Sequence, residues 1–112
     1  MCYANASAYS ENHGLTYVEG YGLTNIGNVG FACAHAWCVD EHGNVHDPTW
    51  RDGLGIAYLG IPFSRNYIQE IDERLGNACL LHDSHLDGHR ILRDGLPADA
   101  IRPVGEQVVT LA

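Results

Sequence analysis

Residues 31–49, FACAHAWCVDEHGNVHDPT, constrain the fold more than any other stretch of the chain. Phe31 to Asp40 is an apolar, strand-forming run interrupted by one histidine. Glu41-His42-Gly43-Asn44 carries turn chemistry, and Val45 to Thr49 returns as a second strand. Pro48 confines that return strand to an edge or to its last residues, because proline has no N–H to give a ladder. A hairpin of this length sets His35 opposite or diagonal to Asp47. Cβ atoms are ~4.5–5.5 Å apart in opposite pairs and ~7–8 Å apart in diagonal ones. Both separations let a carboxylate hydrogen-bond an imidazole. A histidine in a core strand needs a partner for its ring nitrogens, and Asp47 supplies one. The carboxylate fixes tautomer and orientation and leaves the other nitrogen to act as a base. The competing reading is a polar hairpin with two exposed titratable groups.

The rest of the chain reads as a helix, more sheet, then helices. Met1 to Ser10 is rich in small residues and suits a closely packed helix, which Asn12-His13-Gly14 ends. Leu15 to Tyr21 is β-prone, with Leu15, Tyr17 and Glu19 on one face. The glycines from Gly20 to Gly30 predict a loop with weak strand character. Trp50 to Phe63 reads mostly as loop, with a short strand around Ala57-Tyr58-Leu59. Ser64 is an N-cap, Tyr67, Ile68, Ile71 and Leu75 recur at helical spacing, and Gly76-Asn77 stop the helix. Ala78 to Leu81 is a short strand, Ile91-Leu92 packs on the core, a final helix starts near Pro97 and stops before Pro103, and Gln107 to Leu111 is β-prone. The expected fold class is α+β: an N-terminal helix on a small antiparallel sheet, in one domain spanning 1–112.

Composition removes several function classes. Net charge is −8, with 14 acidic and 6 basic residues, which argues against a nucleic-acid partner and fits a cationic or neutral substrate. No apolar run approaches the ~20 residues of a membrane span, so a soluble, cytoplasmic protein is expected. Cys2, Cys33, Cys38 and Cys79 are four cysteines without the pattern of a stapled secreted domain. Cys33, Cys38 and Cys79 are expected as buried free thiols. Cys2 opens the first helix, and a helix start favours a thiolate through its dipole and free N–H groups. A thiolate there with an imidazole from the sheet is a nucleophile and its base.

Cys2 in MCYANA, Gly20-Tyr21 in YVEGYG, His35-Ala36-Trp37 and Asp47-Pro48-Thr49 follow in that order. This order resembles the core of the transglutaminase-like superfamily, and more distantly that of arylamine N-acetyltransferases and papain-type peptidases. AYLGIPFS after the hairpin is similar to small uncharacterised bacterial and phage proteins that keep only this core. The resemblance covers about residues 2–50. It implies a Cys2-His35-Asp47 triad, acyl transfer on a peptide, protein, small amide or thioester, and no cofactor. Hydrolysis and transamidation use the same residues. Met1 alone precedes Cys2 here, where the superfamily usually has a segment that contributes an oxyanion donor. The oxyanion is then expected to rest on backbone N–H groups at the helix start or on a side chain from elsewhere in the chain.

Candidate substrate contacts are Glu19 and Tyr21 beside the site, with Trp37, Trp50 and Tyr58; Trp37, Trp50, Tyr58 and Phe63 read first as core, although Trp50 and Tyr58 lie in a loop that can wall the site. Glu19 reads equally as an exposed strand carboxylate. His82, His85 and His89 have metal-ligand spacing, so a zinc-stabilised domain is an alternative. Asp-Ser and Asp-Gly pairs make that segment loop-like and favour no metal. A binding or inhibitory module on the same scaffold is the other alternative.

Overall fold

The computed structural model describes residues 2–26, 28–50, 54–75, 80–81, 94–102 and 109–111. The fold is α+β. A first helix, α1 (Cys2–His13), leads into β1 (Thr16–Ile26), β2 (Val29–Val39), β3 (Val45–His46) and β4 (Gly55–Phe63). A second helix, α2 (Arg65–Leu75), a single 3-10 turn (Ala98–Ala100) and β5 (Val109–Leu111) follow. The strands form one antiparallel sheet in the order β3-β2-β1-β4-β5.

α1 ends as its sequence dictates. Gly14 takes φ +64°, and Leu15 N–H reaches back to Ser10 C=O at 2.9 Å. That is the reversal in which a left-handed residue closes the last turn. α2 starts on Ser64, whose Oγ accepts from Tyr67 N–H at 3.3 Å and donates to Asp99 C=O at 2.8 Å. Its buried face is Tyr67, Ile68 and Ile71.

Both helices lie on one face of the sheet. There Ala6 of α1 and Tyr67, Ile68 and Ile71 of α2 pack with Tyr17, Ala36, Cys38 and Phe63. The opposite face holds a second cluster of Val18, Trp37, Val39 and Tyr58, with Val45 and Trp50 against it. Strand alternation produces the two clusters, because successive side chains point to opposite faces.

Several expectations from sequence are corrected here. β1 continues through the glycines to Ile26, and Ile26 pairs with Val29 to close a hairpin with β2. β4 is a nine-residue internal strand rather than a loop with a short strand. Gly60 and Pro62 weaken its propensity, yet the fold uses both. A Cβ on Gly60 would stand 2.7 Å from the Trp37 ring, so only glycine lets Trp37 lie across β4. Pro62 turns its missing donor away from β1, and its carbonyl accepts from Arg102 N–H at 3.0 Å. The return strand β3 is only two residues long, as Pro48 requires. Leu80 and Leu81 form a turn, not a strand, and the expected final helix shrinks to the 3-10 turn after Pro97. Ala78, Cys79 and Ile91-Leu92 lie outside the described residues. No helix among the described residues is long and apolar enough to cross a membrane.

Candidate active site

The hairpin register decides the geometry of the pair. Cys38 stands opposite His46 and Val39 opposite Val45, so Asp47 continues opposite Trp37 and is diagonal to His35. The diagonal closes: His35 Nε2 donates to Asp47 Oδ2 at 2.7 Å. With Nε2 committed to the carboxylate, Nδ1 is the acceptor of the neutral ring.

Asp47 is a hub as well as a partner. Oδ2 also accepts from Tyr58 Oη–H at 3.1 Å. Oδ1 accepts from the N–H groups of Thr49 and Trp50, each at 2.9 Å. Those two bonds are an Asx-type turn, which is what Asp-Pro-Thr-Trp encodes locally. Burial pushes the Asp47 carboxyl up. The His35 hydrogen bond, the Trp50 and Thr49 amides and the His35 charge outweigh burial and hold it below its ordinary value. Tyr58 pays the converse: burial first, then the Asp47 charge, pushes its hydroxyl well above the usual range.

Aromatic rings close over the imidazole. Trp50 stacks on His35 with centroids 3.9 Å apart and planes at 14°. Trp37 and Tyr58 lie at 6.0 and 6.4 Å. His35 is consequently only 2% exposed. Gly22 makes the stack possible, since a Cβ there would come within 2.6 Å of the Trp50 ring. Gly22 was not legible as a site residue, because its role depends on which residue crosses the sheet above it.

Cys2 is placed differently. The chain leaves α1 through Gly14 into Thr16, which pairs with Val39, so α1 starts toward the His35 end of β2. Cys38 Sγ donates to Ala6 C=O at 3.1 Å, which fixes Ala6 beside Cys38. By alternation His35 points to the face opposite α1. No hydrogen bond joins Cys2 to His35, and Cys2 is half-buried. The two faces communicate around the β2 edge. Asn5 Nδ2 of α1 donates to Thr49 Oγ1 at 3.1 Å on one side of the turn that stacks Trp50 on His35 on the other. The structure thus brings His35 and Asp47 together and bonds neither of them to Cys2.

The other expected site residues divide. Trp37, Trp50 and Tyr58 wall the imidazole, Trp37 and Tyr58 as core residues. Tyr21 is 58% exposed on β1 and makes no contact with the pair. Glu19 is corrected: it is neither a substrate contact nor an exposed carboxylate, being 1% exposed. Its Oε2 accepts from Tyr17 Oη–H at 2.6 Å and Leu80 N–H at 2.7 Å, and its Oε1 from Leu81 N–H at 2.9 Å. Odd-numbered β1 residues face the helices, so Glu19 falls inside the main core, where it pins the 80–81 turn. Cys33 is exposed rather than buried, because as an odd-numbered residue of β2 it points to the face opposite the helices. Cys38 is buried, and burial followed by the Asp47 charge pushes its thiol up to about 12. His46 donates to Asp40 at 3.1 Å on the face away from Asp47. His82, His85 and His89 lie outside the described residues, and no three metal-ligating side chains cluster among those described.

No family model, no curated protein and no solved structure matches this chain.

Proposed function

We propose that the chain is a cysteine-dependent acyl-transfer enzyme of the transglutaminase-like type that its sequence resembles. The observation that carries this reading is the buried His35–Asp47 pair, bonded through Nε2 at 2.7 Å. A ring fixed in that way keeps Nδ1 as its base. In the proposed reaction the start of α1 first comes around the β2 edge to the imidazole; Cys2 Sγ then gives its proton to His35 Nδ1 and attacks an amide or thioester carbonyl. The tetrahedral intermediate expels an amine or thiol, which receives that proton. Water or a second amine, its proton taken by His35 Nδ1, then attacks the Cys2 thioester; the C–S bond breaks, the acid or amide leaves, and Cys2 Sγ takes the proton back. Asp47 holds the imidazole and stabilises its charged form. Backbone N–H groups at the start of α1 are the proposed oxyanion donors.

Site-resolved iodoacetamide alkylation, read by mass spectrometry near pH 6, tests the reading. Cys2 is expected to alkylate at least ~10-fold faster than Cys33, the other accessible thiol among the described residues. His35→Ala is expected to remove that advantage, and Asp47→Asn to reduce it. Equal rates at Cys2 and Cys33 in the native protein would overturn the proposal.

A second reading has its own observation. His35 is closed under Trp50 and Cys2 makes no hydrogen bond to it. A binding or inhibitory module without turnover accounts for that arrangement, and it expects no rate advantage at Cys2.

A further inference from the structure

The hydrogen-bonding direction of β2 can be read residue by residue. Asp40 N–H donates to Asn44 C=O at 3.1 Å, so residue 40 turns its backbone bonds toward β3. Bonding direction alternates along an antiparallel strand. Cys38, Ala36, Ala34, Ala32 and Gly30 therefore turn the same way, while Val39 to Val29 at odd positions bond β1. β3 has two residues and meets only Cys38 and Val39. Among the described residues nothing pairs with Gly30, Ala32 or Ala34 on that side. Gly30 and Ala32 are exposed and Ala34 is half-buried.

This edge lacks the devices that usually protect one. Val29 to Ala36, VGFACAHA, contains no proline, lysine or carboxylate. Its register with β1 is unbroken from Ile26↔Val29 to Thr16↔Val39, so no bulge twists it away. The small residues Gly30, Ala32 and Ala34 share one face, and the exposed Val29 and Phe31, at 56% and 44%, flank the edge on the other. The edge runs directly into His35.

We propose that the free edge of β2 from Gly30 to Ala34 receives an extended polypeptide as an added strand, and that this polypeptide is the substrate class of the Cys2 site. The substrate clause rests on the acyl-transfer reading. The docking clause does not. Backbone N–H and C=O groups repeating every second residue are answered by another extended backbone, which is the chemistry of strand addition. Phe31 and Val29 favour apolar side chains at alternate positions of the guest. The net charge of −8 favours a guest with basic residues between them. A strand seated there carries its own amide bonds along the β2 rim toward His35.

The test is hydrogen exchange on the full chain, with and without a degenerate library of capped octapeptides. The library alternates Val, Ile, Phe or Tyr with Arg or Lys. The amides of Ala32 and Ala34 are expected to exchange quickly alone and to slow at least ~10-fold with the library, while Cys33 and His35, bonded to β1, change little. The same library N-methylated at alternate residues is expected to protect neither. Ala34→Pro, which removes one edge N–H and no bond to β1, is expected to weaken protection at Ala32. Absence of library-dependent protection overturns the proposal, whether those amides are fast or slow alone. Slow exchange that quickens on dilution would instead mark edge-to-edge pairing of two copies, and also overturns it. Docking is read equally in Cys2→Ala, and alkylation needs no peptide, so each reading fails separately.

Discussion

His35 and Asp47 pair across the hairpin diagonal at 2.7 Å, with side chains 2% and 5% exposed. The carboxylate answers four donors in all: the imidazole, the Tyr58 hydroxyl and the amides of Thr49 and Trp50. Asp47→Ala orphans every one of them. Each buried donor left without an acceptor costs ~1–3 kcal/mol, and a loss of at least that size is expected from urea unfolding. Asp47→Asn keeps an acceptor oxygen and is expected to lose less. An Asp47→Ala protein as stable as the native one would show that the hub is not holding the turn.

The same carboxylate sets part of the acid limit of stability. Its folded pKa is depressed from the ordinary 3.8 by contributions that outweigh burial. A depressed carboxylate stabilises the fold fully above its unfolded pKa, and that contribution fades as pH falls through the lower folded value. Thermal unfolding between about pH 6 and about pH 2 is expected to show a shallower acid limb in Asp47→Asn than in the native chain. Some limb remains, because Asp40 is also held low, first by His46 and then by the turn amides. Superimposable limbs would remove Asp47 from the account.

Gly22 tests the aromatic lid. An added Cβ would meet the Trp50 ring at 2.6 Å and His35 Cδ2 at 3.3 Å, so Trp50 must move away. Overpacking of this kind costs ~1–3 kcal/mol. Gly22→Ala is expected to red-shift the emission and increase acrylamide quenching of one tryptophan. The chain has only two, and Trp37 stays buried at 2% exposure. Unchanged fluorescence would mean that Trp50 does not depend on the bare position.

The thiols are expected to react in a fixed order. Cys38 is fully buried, bonded to Ala6 C=O, and pushed up to about 12. In the native protein it is expected to resist alkylation at pH 8 while Cys33 reacts. Both are expected to react in urea. Modification of Cys38 at the rate of Cys33 would mean that α1 does not stay docked on β2.

The hairpin was legible because its information is local. Alternation along Phe31 to Asp40, the turn residues and Pro48 act within one supersecondary unit, and they suffice to bring His35 to Asp47. β4 was illegible because its glycines and proline are poor strand formers in isolation. They are selected by what crosses them, Trp37 over Gly60 and Arg102 on Pro62. The same holds at Gly22. The position of Cys2 relative to His35 was only half legible. Sequence fixes their faces once helix packing is known, but it does not state that α1 packs on the face His35 leaves. Glu19 was misread because its donors, Leu80 and Leu81, are sixty residues away in the chain.

Glu19 also gives a discriminating experiment on how the 80–81 turn is held. Among the described residues its two oxygens accept from Tyr17, Leu80 and Leu81. A glutamine offers one oxygen and one NH2, and the NH2 must face an N–H that it cannot accept from. One of the amides of Leu80 and Leu81 then loses its acceptor. In Glu19→Gln, hydrogen exchange is expected to quicken at one of the two, and in Glu19→Ala at both. The Leu15 amide, bonded to Ser10 C=O at 2.9 Å within the α1 terminus, is the internal reference and is expected to stay slow. The alanine variant is also expected to lose ~1–3 kcal/mol for each donor left buried and unanswered. Unchanged exchange at Leu80 and Leu81 in both variants would mean that the turn is held by its leucine side chains in the core, with the carboxylate only following.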